Sequence, residues 1–220
     1  MPENWSAAAV PGAIVNSGTI SIGPGLQPDI LINQDTRLSG GGRVSLQGGA
    51  ILTDGSVSTG ASVTFFNHDN TIHTGGGQSG TIGDASMLLD NRGFPDLNGN
   101  GSVILAGGDI VIAAAGARNE GEIVAAGGII HVLDDIDNFF GLGGISAQAG
   151  GSIKIDAQLH GNSQGNTIFA DSVIEAGLVQ DGRMAFVGDN AAFIIDNITT
   201  PGFSRCRRAG LRAPTSRAQP

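Results

Sequence analysis

Asp134, Asp135 and Asp137, in the run IIHVLDDIDN, are the densest group of side chains in this sequence able to do chemistry. A pair of carboxyl groups beside a glycosidic bond can divide hydrolysis between them, one protonating the leaving oxygen while the other activates water. Asp135 and Asp137 stand two apart, so on a β-strand they share a face. A solvated acidic turn is the competing reading, and it is the stronger one. The second candidate is PDLNGNGSV, where Asp96, Asn98, Asn100 and Gly101 have the spacing that opens an EF-hand-type calcium loop, with Val103 in its hydrophobic place. The twelfth position is Gly107 where a bidentate Glu is wanted, so charge and ligand count both fall short. An Asn-Gly turn using left-handed backbone explains these residues better.

Other chemistry-bearing residues do not converge. Gly75, Gly77 and Gly80 satisfy G-x-G-x-x-G, but 37 glycines in 220 residues make one chance match expected. The residues after Gly80 are β-like and offer no helix N-terminus to a pyrophosphate. His68 and His73 are five apart, hence on opposite faces of a continuous strand, and a shared metal would need a turn between them. Cys206 is the single cysteine, which rules out an intrachain disulfide. Asn4 and Asn197 stand in N-x-S/T sequons, relevant only on a eukaryotic secretory route.

The elements that must carry these residues are short strands. TISIG, DILIN, RVSLQG, SVTFFN, NTIHTG, GSVILAGG, DIVIAAAG, GEIVAAGG, IIHVLDD and SIKIDA are each strand-length and each ends in a turn former. No segment holds a helical apolar period, and the nearest, Asp171–Met184, is interrupted by Gly177 and Gly182. Alternation points Ile20 and Ile22, Val44 and Leu46, Val63 and Phe65, Ile153 and Ile155, and Met184 and Phe186 inward. Ser21, Ser45, Thr64, Lys154 and Ala185 then point outward. Ile72, Ile82 and Leu88 are further expected core residues, with Gly75–Gly77 and Asn91 making turns. Strand starts about every ten residues, small aliphatics and Gly/Asn turns favour an all-β single-stranded parallel β-helix, a solenoid with coils of about 20–30 residues. Residues 1–15 form an irregular lead, 16–202 the solenoid, and 203–220 a basic tail expected to be disordered.

DNTIHTGGGQSGTIGDASMLLDNRG resembles the repeat of large bacterial exported proteins, the autotransporter-like and filamentous-haemagglutinin-like adhesins. Asn70, Thr71, Ile72, Gly80, Thr81, Ile82, Gly83, Leu88, Leu89, Asn91 and Gly93 fall in the places of that repeat. The resemblance implies a right-handed parallel β-helix acting as stalk or adhesin, with no catalytic residue or cofactor. It places the protein at the cell surface or outside the cell, facing a host surface, matrix or glycan ligand. The companions of pectinase-like β-helices, G-H-G and R-I-K, are absent, and Lys154 in SIKID and His160 in LHGN are loose echoes.

Charge narrows the partners. All 20 acids and only 6 of the 11 basic residues precede residue 203, a balance of −14, while Arg205, Arg207, Arg208, Arg212 and Arg217 crowd the end. Such a body repels nucleic acid and anionic membranes, and calcium or a cationic partner suits it better. No apolar run is long enough to insert in a membrane, and MPENWSAAAVPGAIV lacks the basic start of a signal peptide. Open strand edges predict edge-to-edge self-association. The leading expectation is therefore a non-enzymatic passenger segment. The alternatives are a polysaccharide-degrading β-helix using Asp135 and Asp137, and a truncated fragment of a larger exported protein.

Overall fold

The computed structural model describes residues 12–26, 29–57, 62–93, 101–138 and 144–160, and beyond them the strand backbones at 166–170, 173–180, 184–187 and 192–199. Among the described residues there is no helix, and every strand pairing is parallel. The protein is all-β, with parallel strands stacked in sheets.

The strands, numbered in chain order, fall into three columns visited in rotation. Column 1 holds β1 (Ala13–Val15), β4 (Thr36–Ser39), β7 (Val63–Asn67), β10 (Met87–Asn91), β13 (Ala117–Asn119) and β16 (Ile136–Asn138). Column 2 is an eight-stranded sheet of β2 (Thr19–Ile22), β5 (Arg43–Leu46), β8 (Thr71–Thr74), β11 (Val103–Ala106), β14 (Glu122–Ala126), β17 (Gly144–Gln148), β19 (Asn166–Ala170) and β21 (Met184–Val187). Column 3 begins with β3 (Ile30–Ile32), β6 (Ala50–Thr53), β9 (Ser79–Ile82), β12 (Asp109–Ile112) and β15 (Ile129–Val132). The long strands β18 (Ser152–His160), β20 (Val173–Gln180) and β22 (Ala192–Thr199) then run through the corner, joining columns 3 and 1. An irregularity between Ile155 and Gln158 replaces the turn that earlier layers use there. The segment nearest to helical spacing, Asp171–Met184, contributes β20 and the start of β21.

Alternation within each strand builds the core as stacked rows. In column 2, Val44, Ile72, Ile104, Ile123 and Ile145 lie one above another, all buried. The next inward row is Leu46, then Thr74, Ala106, Ala125 and Ala147. Column 3 answers in size. Ile110, Ile130 and Ile153 accompany the alanines in the upper layers, whereas Gly80 faces the larger Leu46 lower down, where an added Cβ would overlap Leu46. Such pairing of large with small keeps the interior filled at close-packed density. The expected inward residues Ile22, Val44, Leu46, Val63, Phe65, Ile72, Ile82, Ile153 and Ile155 are buried, and Ile20 is partly buried against them.

Two expectations fail. Leu88 is 38% exposed, because β10 turns Met87, Leu89 and Asn91 inward, over Val63, Phe65 and Asn67 of β7. Asn91 accordingly supports the corner from inside the core and is not a turn residue. Ser45 has the outward parity predicted for it but is nearly covered, with His73 beside it on the next strand and the Gln47 amide donating to its hydroxyl at 3.3 Å.

Buried polar groups are organised in the same rows. Asn67, Asn91, Asn119 and Asn138 stand in register at the end of column 1, each at most 1% exposed. The Nδ2 of each of the first three donates to the Oδ1 of the next asparagine at 2.8 Å. The other N–H bonds of Asn67, Asn91 and Asn119 reach the corner carbonyls of Asn70, Glu122 and Gly144, acceptors that the bending chain leaves exposed to the core. The ladder has a direction, and its two ends show it: among the described residues Asn67 Oδ1 and Asn138 Nδ2 have no partner. Leu38 occupies the rung beneath Asn67, so that oxygen has no donor below it.

Candidate functional site

The outer side of column 1 carries two rows of side chains made neighbours only by stacking. One row contains Arg37, Phe66, Asp90, Arg118, Asp137 and His160, joined by strand registers. The other includes Thr64 and Leu88 and continues one residue outside the strands through Gly116 and Asp135. Because Gly116 has no side chain, the second row is interrupted between Leu88 and Asp135. An open groove of about 420 Å3 lies there, with Phe66, Leu88, Asp90, Arg118, Asp135, Asp137 and His160 on its walls and Gly116 and Ala117 beneath.

The groove has an apolar and a charged end. Leu88 and Phe66 form the first. At the second, Asp135 Oδ1 accepts the Gln158 backbone N–H at 3.0 Å, which fixes the carboxylate. Its other oxygen lies 3.7 Å from His160 Nε2. Asp90 is held by Arg92, whose guanidinium also approaches Glu120 at 3.9 Å, and Arg118 binds Glu120 at 2.7 Å. The hydrogen bond from Arg92 to Asp90 raises the guanidinium further above its ordinary pKa, so Arg92 stays charged.

The structure therefore brings the expected pair Asp135 and Asp137 to one groove and adds His160. Lys154 is not with them: it lies in the column 3 half of β18, bound to Asp156 at 2.8 Å, and Asp156 also meets His131 at 2.6 Å. Lys154 and His131 hold the Asp156 carboxyl below its ordinary value. Asp96, Asn98 and Asn100 lie outside the described residues, as do Asn4 and Cys206, and the side chain of Asn197 is likewise undescribed. Gly75, Gly77 and Gly80 serve the fold. Gly77 takes φ of 74° in the turn, Gly80 makes room for Leu46, and the chain passes into β9. Among the described residues no group of three or more His, Cys, Asp or Glu side chains is placed to hold a metal ion.

His68 follows β7 in a turn while His73 lies on β8, paired laterally with Ser45 and Leu105. Burial, aided by the nearby Arg43 charge, holds the His73 imidazole below its usual value of 6.5. A base whose folded pKa is depressed leaves the unfolded chain the better proton acceptor. Its contribution to stability is complete above pH about 6.5 and fades as the pH falls through the lower folded value. Urea midpoints measured on acidification from neutrality should fall sooner in the natural protein than in His73→Gln. Coincident pH profiles would contradict this.

No protein-family model, curated protein or solved structure matches the chain. Gly116, Arg118 and Asp90 belong to the groove although no sequence motif marked them, and Leu88 joins them although the repeat marked it for the core. Their signal was the repeat register, since residues 19 to 28 positions apart, such as Arg118 with Asp137 and Asp90 with Arg118, become lateral neighbours.

Proposed function

We propose that residues 16–202 form a single-stranded right-handed parallel β-helix serving as a non-enzymatic stalk or adhesive passenger segment of a bacterial surface or secreted protein. The observation that supports this reading is the three-column parallel stacking, tied along one corner by the buried asparagine ladder. Each layer hydrogen-bonds to the next through the backbone, and the layers from Asn67 to Asn138 also through Asn side chains, so added layers lengthen the body without a new core design. The outward rows repeat about every 4.8 Å, which presents a regular surface to a multivalent partner. Beads coated with the purified chain should adhere to matrix-coated surfaces or host-cell monolayers several-fold above albumin-coated beads, with soluble chain as competitor. Equal retention of both kinds of bead would overturn the adhesive reading.

A second reading, hydrolysis of a polysaccharide by Asp135 and Asp137, is favoured by the groove that holds both carboxylates. The excess of acid there repels uronate chains and favours neutral or basic sugars. It requires reducing-sugar release that disappears in Asp135→Asn, a variant that keeps an acceptor for the Gln158 N–H.

A further inference from the structure

The groove over Gly116 has a chemistry that scaffold duty does not call for. Four carboxylates, Asp90, Glu120, Asp135 and Asp137, surround it or bind its wall residues, against the two guanidiniums of Arg92 and Arg118, a local balance of −2 with His160 neutral. Arg92 binds Asp90 and Arg118 binds Glu120 while also standing beside Asp137 in the next layer, so the excess of carboxylates over guanidiniums is greatest at Asp135 and Asp137. An anion is repelled from such a site. An inorganic cation would use the carboxylates but gain nothing from Leu88 and Phe66, and the acids do not assemble into a metal-binding group. A ligand that satisfies both ends carries a positive head on a hydrocarbon body.

We propose that this groove binds an alkylammonium ion, with its head between Asp135 and Asp137 and its chain over Gly116 against Leu88 and Phe66. The assignment goes beyond the scaffold reading and does not depend on it. A volume of about 420 Å3 falls within the range of small-molecule sites. Gly116 sets the width. A Cβ there would meet only the Leu88 Cδ2, at 3.6 Å, and its φ is not left-handed, so a larger residue fills the groove without straining the backbone.

The test is titration of the purified chain with hexylammonium, and with 1-hexanol and hexanoate as neutral and anionic isosteres, followed by amide chemical shifts. Hexylammonium is expected to bind with Kd on the order of 1 mM at low salt, the scale available to so small a ligand. It should bind at least tenfold more tightly than hexanol, while hexanoate should not bind. Asp135→Asn combined with Asp137→Asn should reduce ammonium binding to the hexanol level, and the Asn at 135 still accepts the Gln158 N–H. Gly116→Val should abolish binding of ammonium and alcohol while leaving the thermal midpoint unchanged. Equal affinity for ammonium and alcohol would overturn the proposal. So would cation binding that survives both the double substitution and Gly116→Val, since it would then arise elsewhere on the acidic surface.

Discussion

Asn91→Leu is expected to lower the unfolding free energy by about 3–5 kcal/mol, although leucine matches asparagine closely in shape. The substitution removes the partner of one Asn67 Nδ2–H and of Asn119 Oδ1, and takes one donor from the Glu122 carbonyl, all inside or bordering a buried corner. An unsatisfied buried polar group costs roughly 1–3 kcal/mol, whereas replacing both members of a pair by apolar groups is far cheaper. Converting Asn67, Asn91, Asn119 and Asn138 together to Leu should therefore cost much less than the sum of the four single changes. Urea unfolding of the single and quadruple variants measures this directly. A loss below about 1 kcal/mol in Asn91→Leu would show that the ladder does not carry the corner. Because stability in stacked repeats is largely nearest-neighbour, amide exchange should rise most in β7, β10 and β13.

Gly128→Ala is expected to be comparably damaging, at roughly 3 kcal/mol, for a steric reason. Gly127 turns the chain from column 2 to column 3 with φ of 90°, and Gly128 then nests on the layer below, where an added Cβ would overlap the Gly108 carbonyl. The same nesting recurs at this corner. A Cβ on Gly108 would overlap the Gln78 carbonyl, and one on Gly151 would come within 2.5 Å of the Ala125 carbonyl. A backbone obstacle cannot step aside as a side chain can, so the layers must separate locally. Gly144→Ala is the control: its Cβ meets nothing within 4 Å among the described residues, and the change should be neutral or slightly stabilising. Similar losses for both variants in urea unfolding would refute the steric account.

Most of the interior was legible in the chain itself. The pairs Val44/Leu46, Val63/Phe65 and Ile153/Ile155 show their inward parity without help, because each sits beside a polar or small residue of opposite parity. MLLDN does not. Two adjacent leucines permit either parity, and Leu88 is the wrong choice on hydrophobicity alone. What settles β10 is Asn91, whose buried position depends on Asn67 and Asn119 in other layers. The Gly pairs were legible as turns, but their second role, admitting one backbone against another, was visible only with the layers in place.

The groove shows the same division. Asp135 and Asp137 were recognisable as a same-face pair, while Gly116 and Arg118 carried no local mark and Leu88 was marked for the core. Sequence alone determined a chain of short strands with small inward residues, tight turns and an acidic outer surface, since period-two alternation and turn chemistry act within a few residues. Tertiary structure decided which rows stand over one another. Lateral partners are separated by anything from 18 residues (Asn166 with Met184) to 32 (Thr71 with Val103), so no fixed period locates them. Register between layers is a sum of many non-local contacts: the asparagine ladder, the nested glycines, and the exchange of large for small side chains across the core. Those contacts exist only once the chain has come round again, and they place Leu88 outside, Asn91 inside and the two aspartates beside an open groove.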